Sequence, residues 1–372
     1  MKRVLEVNVD DKGYGGVFAF VMNVMRSIDH DKYILDIAAF ESFENEKHKE
    51  DIRVYGGEVY ECQATGNFLF KQLNTCRKFY KLLKERQYSV MHIHSDVAYK
   101  LLLYGIVGKT AGVKSIIVHS HSTGVEGRYR WLKRVLQSVA KPILSRTEFF
   151  KLACSRLAAQ WMYTNKIQSH VQIVTNGILL DKFRYNPQKQ QEMRKKLGIK
   201  HGYKVVGTVA RFSFQKYPEK LLAVFREVLK KDNRYVLLWI GTGPLMDSIK
   251  QQAQKWCIED NIIFYGNTDN VADMYQVMDV FVLTSRFEGL VISAVEAQAA
   301  GVGCICSNAL SDETKLVPNF QMVSVDELDC VWASKIMEVA SAEKKDIIEI
   351  IRRKGYDIQL TANYLAELYV TN

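Results

Sequence analysis

Thr284–Asn308 reads TSRFEGLVISAVEAQAAGVGCICSN. The apolar run Val280–Leu283 (VFVL) enters it, a polar elbow Thr284-Ser285-Arg286 follows, and Phe287-Glu288-Gly289 precedes a run rich in small residues. The spacing predicts a helix from Leu290 to about Ala300, a turn at Gly301, and a second strand from Gly303 to Cys306. Strand, loop, helix and strand in so short a span make a βαβ unit, whose loop presents a helix N-terminus at the carboxyl end of a strand. Unpaired amides of a first helical turn favour an anion such as phosphate. Two carboxylates bracket the helix start, Glu288 just before it and Glu296 within it; a fully helical spacing would separate them by at most ~12 Å. Beside a phosphate site a carboxylate does not attract the phosphate. It can accept hydrogen bonds from neutral hydroxyls on either side, as a sugar and a ribose joined by a pyrophosphate would offer. The plainer alternative is a dipole-favoured charge at Glu288 and a solvated Glu296.

Working outward, 372 residues predict two domains of ordinary size. A composition 48% hydrophobic and 25% charged is that of a soluble globular chain. No apolar run approaches the ~18–20 residues that span a bilayer, and MKRVLEVNVDD runs from charge straight into a strand, so neither signal peptide nor anchor is expected. Seven cysteines lie dispersed without a Cys-x-x-Cys pair, which fits a reducing cytoplasm; Cys304 and Cys306, on one strand, should face the core. The net charge of +10 calls for a partner. Its densest run, residues 124–151, sets Arg128, Arg130, Lys133, Arg134, Lys141, Arg146 and Lys151 against Glu126 and Glu148, interleaved with Tyr129, Trp131, Leu132, Val135 and Leu136. Such a stretch is a solvated helix face or a contact with the inner face of the membrane. No recognised module supports nucleic acid as the partner.

Along the chain, strands at Val4–Val9, Tyr33–Phe40, Glu58–Cys62, Val90–His94, Ser115–His119, Lys151–Ser155 and His170–Val174 alternate with helices, among them Phe70–Glu85 and Ala98–Ala111. The first loop, Asp10–Gly16, carries Gly13, Gly15 and Gly16 in a pattern that is not the dinucleotide fingerprint G-x-G-x-x-G. A boundary near residue 178 precedes a second alternation: Lys204–Ala210, a helix Pro218–Lys231, Tyr235–Ile240, Ile262–Tyr265, then the opening unit. The reading is α/β, two Rossmann-like domains facing across a cleft, residues 1–178 and 179–355, with a final helix at about 356–372.

Several signals fall at strand ends. Arg211 follows the first strand of the second half and Lys216 stands five residues on, two cations able to clamp a diphosphate. Gly241-Thr242-Gly243 allows close backbone approach. Histidines gather at His92, His94, His119 and His121; the first pair should be packing residues, whereas His121 is placed to hydrogen-bond a substrate hydroxyl. Asp29-His30-Asp31, the sole Asp-x-Asp, reads as a solvated turn.

The second half resembles the nucleotide-sugar domain of retaining GT-B glycosyltransferases of family 4, of the bacterial capsular and exopolysaccharide type. The resemblance rests on VTNGILLDKF, VARFSFQK, IGTGPL, FYGNTDNVADMYQVMDVFVLTSRFEGLVISAVEAQAAG and the E-x7-E pair Glu288/Glu296, and covers most of residues 170–310; the first half matches more loosely, through Gly15-Gly16 and HSHS. It implies that Arg211 and Lys216 neutralise a donor pyrophosphate, Glu296 holds the ribose, and Glu288 the transferred sugar beside the amides of Gly289 and Leu290. Gly241 and Gly243 would line the donor, Asn267 or Thr268 the base, and Gly15-Gly16 would close on it from the first domain. His121, with His119 as the rival register, would be the acceptor-side histidine, and the last helix would cross back to the first domain. It further implies a UDP-linked donor, a lipid-linked or saccharide acceptor, front-face substitution with retention, no metal and no other cofactor. Two departures stand out: Gly303 where the family often has proline, and Phe18 where Gly-Gly-x-Glu has its glutamate. A UDP-sugar 2-epimerase, a catalytically silent nucleotide-sugar-binding subunit and an NAD oxidoreductase are the alternatives, the last disfavoured by the first loop's glycine spacing.

Overall fold

The computed structural model describes residues 1–11, 15–66, 68–125 and 129–371, so Gly13 of the first loop and Glu126 and Arg128 of the basic stretch lie outside the described residues. Two compact units divide the chain: Met1–Gly177 with Ile358–Asn372, and Ile178–Asp357.

In the first unit β1 (Lys2–Val7), β2 (Tyr33–Ala39), β3 (Val59–Glu61), β4 (Val90–Ser95), β5 (Ser115–Ser120), β6 (Phe150–Ala153) and β7 (Gln172–Ile173) form one sheet in the order β3-β2-β1-β4-β5-β6-β7. Every pairing is parallel. In the second, β8 (Lys204–Val209), β9 (Tyr235–Ile240), β10 (Ile262–Gly266), β11 (Val280–Leu283), β12 (Gly303–Ser307) and β13 (Phe320–Val323) are ordered β10-β9-β8-β11-β12-β13, again all parallel. Parallel neighbours need crossovers, and helices covering both sheet faces explain why strands such as VFVL and YVLLWI are continuous apolar runs. Each order reverses direction between the first and fourth strands of its unit, β1/β4 and β8/β11. That reversal is where doubly wound sheets leave a crevice at their carboxyl edge.

The helix of the opening stretch is Ile292–Ala299, starting two residues later than expected because Val291 is still extended (φ −95°, ψ 106°). Glu288 therefore lies four residues ahead of the helix, not in its first turn. The sequence reading also passed over β13 and the helices Asp329–Ala340 and Ile348–Arg353. β13 is a four-residue edge strand, too short to show a period, yet Trp332 and Ile336 of the helix that follows it are fully buried in the second core. Cys304 and Cys306 are buried free thiols. No helix among the described residues is long and apolar enough to cross a membrane.

The last helix, Ile358–Thr371, belongs to the first unit. Gly177 makes room for it: a Cβ there would lie 2.7 Å from Ile358 Cα, so any side chain would strike the returning backbone. Tyr33 donates its hydroxyl proton to the Ala366 carbonyl at 2.9 Å, fixing the helix against β2.

One buried amide holds the helix Ile292–Ala299 in place. Gln298 donates to the carbonyls of Ala294 and Thr314, both at 2.9 Å, and accepts from the amides of Leu316 at 2.9 Å and Val317 at 3.3 Å. Gln298→Met keeps the volume and strands these groups, so it should lower unfolding free energy by about 2–4 kcal/mol, readable in urea unfolding. A loss below about 0.5 kcal/mol would show that the loop finds other partners.

Candidate active site

The loops leaving β8 and β11 meet at the reversal point of the second sheet. Residues 211–217 turn tightly, with the Ser213 amide on the Arg211 carbonyl at 2.9 Å and the Lys216 amide on the Ser213 carbonyl at 3.1 Å. Tyr217 then adopts φ 51°, ψ 58°, a left-handed conformation disfavoured for a bulky residue, just before the helix Pro218–Lys231. Thr284, from the β11 loop, donates to the Tyr217 carbonyl at 3.0 Å and lies 3.2 Å from that of Lys216. The Arg286 amide donates to the Gln215 carbonyl at 2.8 Å, and its guanidinium stacks 3.3 Å from the Tyr217 ring centre. Strain at such a junction persists only where its surroundings over-determine it, and these bonds do so.

This clamp brings Lys216 and Glu288 together. Lys216 Nζ donates to Glu288 Oε1 at 2.5 Å, while Gln215 Nε2 donates to Oε2 and to the Phe287 carbonyl, both at 3.1 Å. Glu288 is only 6% exposed. A carboxylate so fixed can still accept from a hydroxyl, and the ammonium beside it can meet a phosphate. Arg211 is half-buried at the same edge. Gly289 and Leu290 are both buried, in the loop ahead of the helix.

The Gly241-Thr242-Gly243 loop lies against the Arg211 turn. A Cβ on Gly241 would sit 2.3 Å from the Ala210 carbonyl oxygen, and one on Gly243 2.6 Å from that of Phe212. Phe212 and Leu245 close the contact through backbone bonds to Thr242 and Phe212, at 3.1 and 3.0 Å. These glycines therefore admit a neighbouring loop, a use the sequence reading did not foresee. Asn267 faces Thr242 across 3.4 Å, and Thr268 accepts from the Asn270 amide at 3.1 Å.

Glu296, half-buried in the helix Ile292–Ala299, accepts from the Tyr275 hydroxyl at 2.9 Å. Desolvation pushes its carboxyl up to about 7, against the opposing pull of Tyr275 and of Lys182. A carboxyl with that value changes protonation state near neutrality.

The reversal point of the first sheet holds a second polar cluster. Its helix Gly16–Ser27 begins after Gly15, where a Cβ on Gly15 or Gly16 would meet nothing within 4 Å, so internal packing requires glycine at neither. Phe18, standing where the resemblance expected glutamate, is buried against Phe43 and His48. Glu6 of β1 pairs in register with His92 of β4, and His94 with His119 of β5. His94 Nε2 is 2.6 Å from Glu6 Oε2, and His94 Nδ1 is 2.9 Å from His121 Nε2. Tyr369 of the last helix donates to Glu6 Oε1 at 2.9 Å and lies 3.0 Å from His92 Nδ1; His92 Nε2 is 3.2 Å from His119 Nδ1. His92, His94 and His119 have the mutual spacing of a metal site. Both ring nitrogens of His92 and of His94 are already engaged in this chain, which speaks for a hydrogen-bond network there. His92 and His94 are buried, as expected of packing residues, and are hydrogen-bonded within this network as well. His119 is fully buried, whereas His121 keeps part of its surface.

Comparison with known proteins bears on this geometry. Residues 189–342, which contain every element of the Lys216–Glu288 clamp, match the profile described as glycosyl transferases group 1. This segment is similar to the group 1 glycosyl transferases. The whole chain is 28% identical over 377 residues to EpsF of Bacillus subtilis (strain 168), by name a glycosyltransferase, covering 99% of this chain and 96% of that one. It is 24% identical over 324 residues to the UDP-Gal:alpha-D-GlcNAc-diphosphoundecaprenol alpha-1,3-galactosyltransferase of Escherichia coli, covering 81% and 80%. Among solved structures, Anabaena HepE in complex with UDP-glucose superposes over all of both chains with a TM-score of 0.77 at 16% identity. The fold is the GT-B fold, built from two parallel-sheet, Rossmann-like α/β domains. Gln215, Arg286, Tyr217 and Tyr275 in the matched segment, and Glu6 and Tyr369 outside it, are parts of these sites that the sequence reading missed. Glu6 alone had left a signal, as the one charge inside the apolar strand VLEVNV.

The Glu296 carboxyl yields a pH test. Its native value of about 7 stands above the ordinary 4.5, so the fold favours the protonated form, and the stability this gives is present below 4.5, is lost as pH rises to about 7 and stays lost above it. Glu296→Gln should therefore gain stability relative to the unaltered chain at about pH 8, and much less at about pH 5, in urea unfolding at the two pH values. An offset equal at both would place the carboxyl's titration elsewhere.

Proposed function

We propose that this protein transfers a sugar from a nucleoside diphosphate, UDP by first choice, to a hydroxyl of a lipid-linked or saccharide acceptor in bacterial surface polysaccharide synthesis, with retention at the anomeric carbon. The observation that carries the reading is the Lys216–Glu288–Gln215 clamp at the reversal point of a sheet inside the segment similar to group 1 glycosyl transferases. Arg211 and Lys216 neutralise the departing diphosphate, whose growing charge is the feature most in need of stabilisation as the bond breaks. Glu288 accepts from hydroxyls of the transferred sugar, with the Gly289 and Leu290 amides beside it. Glu296 accepts from the ribose, Asn267 or Thr268 borders the base, and Gly15-Gly16 serves the donor from the first domain. The phosphate itself takes the acceptor proton in a front-face substitution, so no protein nucleophile is called on. With both cations supplied by side chains, the reading calls on no metal. The UDP choice and the lipid-linked acceptor draw support from the name of the Escherichia coli relative.

A thermal-shift screen of UDP-, GDP- and ADP-sugars should single out UDP-sugars, since a ligand of the native state raises its midpoint by mass action. With the donor so found, Glu288→Ala and Lys216→Ala should each lower transfer by about 10²-fold or more while circular dichroism stays unchanged. Full activity in the double variant refutes the assignment, and an isomerised sugar formed from donor alone redirects it to the epimerase class.

The same reading places the protein against the inner, anionic face of a membrane through the helix Arg130–Ser145. One side of that helix is anchored: Gln137 Oε1 accepts from the Ala98 amide at 2.6 Å, and Ala140 and Leu144 are buried. The opposite side carries Trp131, Val135, Val139 and Ile143 at intervals of one helical turn, all exposed, Trp131 to 70%. Arg130, Lys133 and Arg134 flank this stripe, the charge an anionic headgroup layer complements. The protein should sediment with phosphatidylglycerol vesicles and not with phosphatidylcholine vesicles, and Trp131→Ala with Val135→Ser should release it. Retention of the double variant would remove this helix from the membrane contact.

A further inference from the structure

The cluster at β1, β4 and β5 carries a direction that the proposed transfer reaction does not by itself require. Glu6 is 1% exposed and accepts a proton-bearing contact at each oxygen: Tyr369 donates to Oε1 at 2.9 Å, and His94 Nε2 lies 2.6 Å from Oε2. Burial alone would raise the Glu6 carboxyl, but His92 and His94 beside it hold it well below the usual carboxylate range. An ionised carboxylate has no proton to give, so the proton of this short bond sits on His94 Nε2. Burial, together with the nearby His92, pulls His94 down to about 4, so near neutral pH its ring carries that one proton only and Nδ1 is bare. A bare Nδ1 at 2.9 Å from His121 Nε2 can only accept. The proton of that second bond therefore belongs to His121 Nε2. His121 is itself held neutral, its value lowered by burial and by His94 and His92. Its remaining nitrogen, Nδ1, then carries a lone pair and has no hydrogen-bond partner among the described residues, while the side chain keeps part of its surface at the carboxyl end of β5.

We propose that the buried Glu6, acting through His94, fixes His121 as the Nε2–H tautomer, so that His121 presents a bare Nδ1 that accepts a hydrogen bond from a ligand hydroxyl. Glu6 and His94 are positioning residues: neither needs to touch the ligand, and their effect is to decide which side of the His121 ring can accept. The ligand class follows from the polarity. A group that donates, such as a sugar hydroxyl, is satisfied there; one that can only accept is not. The groups facing the pair from every packed element are Glu6 on β1, His92 and His94 on β4, His119 on β5 and Tyr369 on the last helix, with the uncharged Phe20 ring from the helix Gly16–Ser27 closing the side. Identifying the hydroxyl as a sugar's rests on the transfer reading above; the tautomer does not.

The test uses the full chain labelled with 15N-histidine. Long-range proton–nitrogen correlation spectra, with the His121 signal identified by its loss in His121→Asn, should show a bare Nδ1 and a protonated Nε2 near pH 7.5. The opposite tautomer, or an imidazolium, overturns the proposal with no activity needed. Two variants supply the second readout. His94→Gln keeps a donor for Glu6 and an acceptor for His121 on one amide; His94→Leu keeps neither. With UDP-glucose hydrolysis as the probe, His94→Leu should lower kcat by about tenfold or more with KM within about twofold, and His94→Gln should recover most of it. Equal behaviour of the two variants, or a KM that rises in step with the loss of kcat, overturns the proposal. If UDP-glucose fails to bind the unaltered protein, the donor reading fails instead, and the spectra still decide the tautomer.

Discussion

A parallel strand can be followed only by a crossover that carries the chain back to the end where it started. Every strand-to-helix loop of such a sheet therefore emerges on one edge, and where the winding reverses two of those loops part and leave a gap between them. Both units of this chain obey that constraint, with reversals at β1/β4 and β8/β11. What each places in the gap differs. The second unit sets the cationic turn after β8 against the acidic loop after β11, locked by backbone bonds through Gln215, Thr284 and Arg286. The first sets a buried carboxylate, Glu6, under a row of imidazoles.

Neither arrangement is explained by stability. Removing a carboxylate and an ammonium from water costs several kcal/mol per ion, and a close pair recovers that only with good geometry and further hydrogen bonds. Lys216 and Glu288, with side chains 16% and 8% exposed, have both, since Gln215 saturates the second oxygen. Hydrophobic residues of like volume would hold the loops as well. The strained Tyr217 adds to the same side of the account, because a left-handed bulky residue is kept only by the contacts around it. Charge and strain coincide at one loop junction, as they do where a ligand rather than the core dictates the residues.

The α/β alternation and the two-sheet plan were legible because parallel strands buried on both faces are continuous apolar runs, and helices of a dozen residues show their period. Short elements were not: Phe320–Val323 offers four residues, and the extended Val291 delays a helix that small residues at 290–300 seemed to begin sooner. In the candidate site, Arg211, Lys216, Glu288 and Glu296 stood out as charges at strand ends and around one helix. Gln215 did not, since an amide between Phe214 and Lys216 has no periodicity to break. Tyr369 was beyond reach for a different reason: it lies more than three hundred residues from Glu6, and nothing local in LAELYVT marks one tyrosine of a helix as a hydroxyl donor. The glycines of 241–243 were noticed for the right freedom, but the loop they admit was not, because sequence does not tell which neighbour a missing side chain lets in.

The placement of Ile358–Thr371 governs how the molecule is made. During synthesis the seven strands of the amino-terminal lobe leave the ribosome about 180 residues before the helix that roofs them, at roughly 5–20 residues per second. Throughout that interval Tyr33 and the β1 surface are bare, and Glu6 waits without its tyrosine. The carboxy-terminal lobe, whose residues are contiguous, has its last strand at Val323 and its last residue at Asp357. The later-made half thus has its full set of residues first, and the earlier-made one closes last.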